Sequence, residues 1–155
     1  DALAVAQLER RGFSAADFQV FHPGGKLGRR LLKVADLMHA GDGVPLVSAE
    51  ESMAQALLVM TTKSFGCTGV VDAAGRLEGI VTDGDLRRHL EDDLMRRTVA
   101  QVMTRGPKTV GPNALAAEAL ALMNEKNITS LFVVDTERRP VGIVHIHDCL
   151  RAGVA

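Results

Sequence analysis

Residues 79–88 read GIVTDGDLRR and residues 142–151 read GIVHIHDCLR, and the correspondence between these two stretches decides how the chain folds. In each, a glycine and two β-branched residues close an apolar run, and an aspartate follows at the same remove, Asp85 in one and Asp148 in the other. The stretches lie 63 residues apart, and the same offset lays Met60 on Met123. It also brings Val47 onto Val110, Leu57 onto Leu120, Lys63 onto Lys126, Val70 and Val71 onto Val133 and Val134, and Asp72 onto Asp135. Self-similarity at one fixed offset marks a supersecondary unit used twice, and two copies of a small unit bury their open faces against each other.

Outward from the junction, each copy shows the same succession of periods. An extended stretch ends at Val47 or Val110 and a helix follows. Ser48 is expected to cap the first helix, with Glu51 reaching back as a capping box. Met53, Leu57 and Met60 then share one helical face, and Ala116, Leu120 and Met123 repeat the spacing. This methionine-containing stripe reads as core, with an adaptable binding surface as the alternative. Two strands joined by a turn come next, expected over 68–71 and 77–82, then 131–134 and 140–144; Asp and Gly between β-branched runs supply the turn. Short helices are expected over 84–90 and 147–152. The predicted fold is α/β (α+β), two β-α-β-β-α repeats packed about a pseudo-twofold axis. The division follows as 1–35 ahead of the repeats, 36–92 for the first and 93–155 for the second, with the short charged link 91–98 forcing the copies close.

Composition bounds the function. Eighteen Lys and Arg nearly cancel nineteen Asp and Glu, and there is no Trp or Tyr, so neither the basic field nor the stacking platforms of a nucleic-acid binder are present. No apolar run approaches the roughly 20 residues that cross a bilayer, and a cytoplasmic location without membrane contact is expected. Cys67 and Cys149 stand outside any metal-ligand spacing and read as small buried hydrophobes. The chain opens at Asp1 within a helical pattern, DALAVAQLERRG, capped by Gly12 and followed by the glycine-rich FHPGGKLGRRLL; it reads as a fragment whose first segment has little to pack on.

The polar residues that can bind a ligand gather at the two junctions. A helix start offers unpaired amides to a phosphate, and a carboxylate one turn in can accept from two vicinal hydroxyls such as those of ribose. Thr82 with Asp85 is such a pair; the competing reading is that Asp85 and Asp148 only complement a helix dipole. His145 and His147 replace the threonine pattern in the second copy. Their spacing is poor for a metal without a third strong ligand, so no metal is expected, and contact with an anion is the simpler role. Arg87, Arg88 and Arg151 follow on the helices, either facing that anion or solvated.

The two repeats, each with a Gly-apolar-apolar-x-x-x-Asp junction, resemble a pair of cystathionine β-synthase (CBS) domains over residues 36–155. The resemblance implies nucleotide binding in two clefts between the copies, with Asp85 and Asp148 on the ribose and Thr82, Gly66, Cys67, Thr129 and Ser130 near phosphate. It puts Pro45, Phe65 and Cys67 beside the base in the Asp148 cleft, and Thr109 and Ile128 in the Asp85 cleft. The preceding segment, RGFSAADFQVFHPGGKLGRRLL then VADLM, is similar to the end of the sugar isomerase domain of D-arabinose 5-phosphate isomerases of the KpsF/KdsD type. That implies an enzyme of lipopolysaccharide Kdo synthesis with His22 in its active site, but the fragment lacks the base, acid and phosphate clamp of a proton shuttle, so no isomerase activity is expected of it. Instead of a cofactor, a regulatory ligand is expected: CMP-Kdo, the activated end product, with AMP or ATP as the alternative. The remaining alternative is an oligomerisation scaffold with empty clefts; a homo-oligomer joined through the repeats and contact with the chain's own sugar isomerase domain are expected partners.

Overall fold

The computed structural model describes residues 26–90 and 93–154. The helix expected over 1–12 and the candidate His22 lie outside the described residues. Two small sheets carry the fold. In the first, β1 (Leu46–Ser48) runs parallel to β2 (Cys67–Val71), which pairs antiparallel with β3 (Leu77–Thr82), which pairs antiparallel with β4 (Thr104–Arg105). In the second, β5 (Thr109–Val110) is parallel to β6 (Ser130–Val134), and β6 antiparallel to β7 (Pro140–His145). Both hairpins bend at one place in the repeat, between Val70 and Val71 and between Val133 and Val134.

Seven helices accompany these sheets among the described residues: α1 (Lys26–Leu31), α2 (Val34–Leu37), α3 (Met53–Lys63), α4 (Asp83–Arg88), α5 (Val99–Val102), α6 (Ala116–Lys126) and α7 (Ile146–Arg151). The expected core stripe is in place, with Met53 and Met60 of α3 and Ala116, Leu120 and Met123 of α6 buried. Both helices stop at a residue in the left-handed region, Ser64 at φ 62° and Asn127 at φ 55°.

The start of α3 corrects the expectation at Ser48 and Glu51. Ser52 is the cap, its hydroxyl accepting the Gln55 amide at 3.2 Å, while Ser48 ends β1. The turn between them serves another element: the Ala49 and Glu51 carbonyls accept the Ala100 and Val99 amides of α5 at 2.9 and 2.8 Å. A helix begun at Ser48 would consume those carbonyls in its own first turn.

That contact belongs to an exchange of segments between the repeats. The chain entering the second repeat, Leu94 and α5 through Val102, is buried in the core of the first, against Met53, Ala56 and Val81. The chain entering the first repeat, Leu32 and Val34, is buried in the core of the second, with Ala116, Leu131 and Val144. The segment ahead of the repeats, expected to have little to pack on, is thus anchored from Leu32 onward. β4 adds Thr104 opposite Ile80 on the first sheet, and His39 makes the corresponding bridge to Ile143 on the second, the two residues exchanging backbone bonds at 2.8 and 2.9 Å.

Glycine permits the crossing. A Cβ on Gly79 would stand 2.6 Å from Met103 Sδ, and one on Gly142 2.5 Å from Met38 Sδ and 2.9 Å from the His39 carbonyl. The two sheets then close on a third apolar cluster, Val44, Cys67 and Leu77 from the first repeat and Phe132 and Ile143 from the second. The Leu77 amide reaches the Arg138 carbonyl across it at 2.9 Å.

Candidate ligand cleft at the repeat interface

A cleft of about 520 Å³ opens where α4 meets the second repeat. The sequence places its two walls by the same logic in each copy. The tight turns after α3 and α6 deliver Phe65, Gly66 and Cys67 to one wall and Asn127, Ile128, Thr129 and Ser130 to the other. The junction contributes Thr82, Asp83, Gly84, Asp85 and Arg87 to the floor, and the strand leaving α5 adds Thr104, Gly106, Pro107 and Lys108.

Asp85 sits at the bottom, 2% exposed. Its Oδ2 accepts the Thr82 amide at 2.8 Å and the Thr82 hydroxyl at 3.1 Å; its Oδ1 accepts the Thr104 hydroxyl at 2.7 Å and the Arg88 guanidinium. Burial alone would raise the pKa of this carboxyl, but the hydrogen bonds from Thr104, Thr82 and Arg88 outweigh it and hold the group below the ordinary carboxylate range. The result is a buried, ionised acceptor held in part by exposed residues, Thr104 and Arg88, the latter's side chain 64% exposed. On the opposite wall the Ser130 Oγ is buried without a hydrogen-bond partner, a cost that a polar ligand would relieve. Cys67 closes the floor as a thiol, pushed up to about 12 by burial and then by the Asp83 charge, so it offers no thiolate for chemistry.

The Asp148 side is built differently. Asp148 Oδ2 accepts the His145 amide at 2.8 Å and Oδ1 the Arg151 guanidinium at 2.6 Å, matching Thr82 and Arg88 around Asp85. In place of the Thr104 hydroxyl stands the His39 imidazole, with Nε2 3.0 and 3.1 Å from the two carboxylate oxygens. Its ring packs edge-on against Phe65 at 5.1 Å, and Phe65 reaches His145 at 6.5 Å. His145 and His147 stack at 4.8 Å, and the His145 Nδ1 accepts the His147 amide at 3.0 Å. Burial, then the neighbouring His147, lowers the His145 pKa, so the ring is neutral near pH 7 and meets an anion only as a hydrogen-bond donor.

Of the residues singled out in the sequence, Thr82, Asp85, Arg87, Phe65, Gly66, Cys67, Ile128, Thr129 and Ser130 are gathered at one cleft. Arg88 holds Asp85 from outside it. Thr109 does not line this cleft: it pairs with Phe132 inside the second sheet, and the preceding Pro107 and Lys108 form the wall instead. Phe65 and Cys67, assigned by resemblance to the Asp148 side, line the Asp85 cleft; Phe65 has His39 and His145 beside it as well. Pro45 is buried, with its carbonyl accepting the Gly69 amide. Thr104, Lys108 and His39 were missed. For Thr104 and His39 the signal was the string MTRG repeating MHAG at an offset of 65 residues, with both glycines, Gly41 and Gly106, at positive φ; Lys108 had none.

Among the described residues no helix is long and apolar enough to cross a membrane, and no group of three His, Cys, Asp or Glu is placed to hold a metal ion. Comparison with known proteins agrees with the architecture. The chain is 55% identical to the arabinose 5-phosphate isomerase KdsD of Pseudomonas aeruginosa over 99% of its own length but 48% of that protein's, so it spans about half of the curated relatives it matches. Among solved structures it resembles the CBS domain pair of protein MJ0100 in complex with 5-methylthioadenosine and S-adenosyl-L-methionine (TM-score 0.68, 27% identity, 77% of this chain and 93% of that one). It also resembles CBSX2 in complex with AMP (TM-score 0.70, 26% identity, 79% of this chain and 96% of that one). The sequence pattern of the CBS domain matches residues 34–92 and again 99–155; with two copies covering most of its length, the chain belongs to the CBS domain family.

Proposed function

We propose that this chain is the nucleotide-sensing regulatory module of a D-arabinose 5-phosphate isomerase, and that CMP-Kdo, the activated sugar at the end of that enzyme's pathway, is its feedback ligand. The observation that carries the reading is the Asp85 cleft: a buried, ionised carboxylate faces a wall with an unpartnered buried hydroxyl, in a space of about 520 Å³, within the usual range for small-molecule sites. Ribose hydroxyls that donate to Asp85 replace the solvent-exposed Arg88, and the freed guanidinium joins Arg87 and Lys108 at the mouth. The isomerase chemistry itself belongs to the whole enzyme, of which the relatives are about twice as long.

Charge favours CMP-Kdo over ATP. With Arg88 released, three cations stand against Asp83 and Asp85, so a ligand with one phosphodiester and one carboxylate is nearly balanced there, whereas a triphosphate brings much more negative charge than the site can offset. Calorimetry with CMP-Kdo, CMP, AMP and ATP tests this, with the expected order CMP-Kdo tightest and ATP weakest. The adenine-nucleotide reading is favoured by the AMP and S-adenosyl-L-methionine in the two similar structures, and AMP or ATP binding tighter than CMP-Kdo would establish it instead. A scaffold that only joins isomerase subunits, with empty clefts, predicts no rise in melting temperature at millimolar nucleotide, since only binding to the folded state raises it.

A further inference from the structure

We infer that nucleotide binding by this module is one-sided: the Asp85 cleft takes the ligand, and His39 seals the Asp148 side. The inference rests on the nucleotide reading above and adds which half is used and which residue decides it. The two aspartates share their local partners, a strand-end amide and an arginine one turn on. They differ in the group delivered by the exchanged segment. At Asp85 it is Thr104, whose hydroxyl occupies a single oxygen and leaves the cleft above it open. At Asp148 it is His39, whose ring spans both oxygens and stands where a ribose would lie.

Arg88 is the readily displaced partner, its side chain 64% exposed and, among the described residues, tied to Asp85 alone. It cannot displace His39 as cheaply. The His39 ring, though 44% exposed, bonds both Asp148 oxygens and packs edge-on against Phe65, and its main chain is fixed by two bonds to Ile143. The residues facing Asp148 are bulkier throughout, since His145, Ile146 and His147 stand where Thr82, Asp83 and Gly84 stand around Asp85. Gly84 lines the cleft without a side chain, and the matching position beside Asp148 carries the His147 imidazole.

Calorimetric titration with CMP-Kdo, and in parallel with AMP, reads the stoichiometry directly. The expected result is one ligand per chain for each probe that binds. Thr104→His, which sets beside Asp85 the ring that guards Asp148, is expected to weaken that binding by at least ~10-fold, the loss of about one hydrogen bond to a charged group, with its ligand-free melting curve checking the fold. Two ligands per chain, or Thr104→His binding as tightly as the unchanged chain, overturns the inference while leaving nucleotide sensing intact. No heat with either probe overturns the nucleotide reading and this inference with it. The stoichiometry needs no variant, so one-sidedness is tested even where Thr104→His does not fold; the variant assigns the side.

Discussion

At the scale of single residues, Asp85 does two jobs whose requirements coincide. It closes the start of α4 by a reciprocal pair with Thr82 and ties in Thr104 from a distant strand, and the same ionised oxygens are what ribose hydroxyls would seek. Its carboxyl is held below the ordinary range in the folded chain and titrates near about 3.9 when unfolded. The stabilisation from its charge is therefore complete above that unfolded value and is lost as pH falls through the lower folded one. Asp85→Asn is expected to cost about 1–3 kcal/mol at pH 7, and the difference from the unchanged chain should shrink below pH ~4 as Asp85 itself protonates. Urea midpoints measured from pH 7 down to pH 3 check it; a difference that grows on acidification would reverse the sign of the argument. Asp85 was legible in the sequence because its partners Thr82 and Arg88 lie within one turn. Thr104 and His39 were not, since their roles depend on a segment crossing between repeats, which no local spacing encodes.

Among elements, the exchange of segments explains what the periodicity could and could not give. Strand and helix periods repeat within a copy, so the hairpins and the stripes of α3 and α6 followed from the residues alone. Ser48 and Glu51 had the right spacing for a capping box, but the Ala49 and Glu51 carbonyls are committed to α5, and the helix waits for Ser52. Ser52→Ala is accordingly expected to cost about 1 kcal/mol, in line with the loss of an N-cap, and Ser48→Ala less than about 0.5 kcal/mol; thermal melts of the two variants distinguish the caps. The crossing itself has a signature in Gly79 and Gly142, whose repetition was visible and whose purpose was not. In Gly142→Ala the added methyl meets backbone, the His39 carbonyl at 2.9 Å, as well as the flexible Met38 side chain. The backbone carbonyl cannot turn aside, so a loss of about 1–3 kcal/mol is expected, with the damage centred on the His39 to Ile143 bridge and readable as faster hydrogen exchange at the Ile143 amide.

For the molecule as a whole, the exchange means that neither repeat owns a complete core. Val34 precedes the first repeat's own strands yet is fully buried with Ala119, Met123 and Val133 of the second, while Val99, ahead of the second repeat's strands, is fully buried with Met53 and Val70 of the first. Two units joined only by a face would unfold in two steps; two units that each hold the other's missing piece should unfold in one, as small cooperative domains do. The same linkage would give a ligand in the proposed Asp85 cleft a route to the segment ahead of the first sheet, through Phe65 and His39. Val34→Ala tests the interlock. By its place in the sequence it should loosen the first repeat; by its packing it removes two methyl groups from the second core, at a cost of about 1–2 kcal/mol from the lost burial and cavity. Hydrogen exchange is expected to quicken first in β6 and β7 and only secondarily in β2 and β3, within a single calorimetric transition. Exchange quickening in β2 and β3 alone, or a transition split in two, would mean that the repeats fold independently and that nothing mechanical joins the cleft to the segment ahead of it.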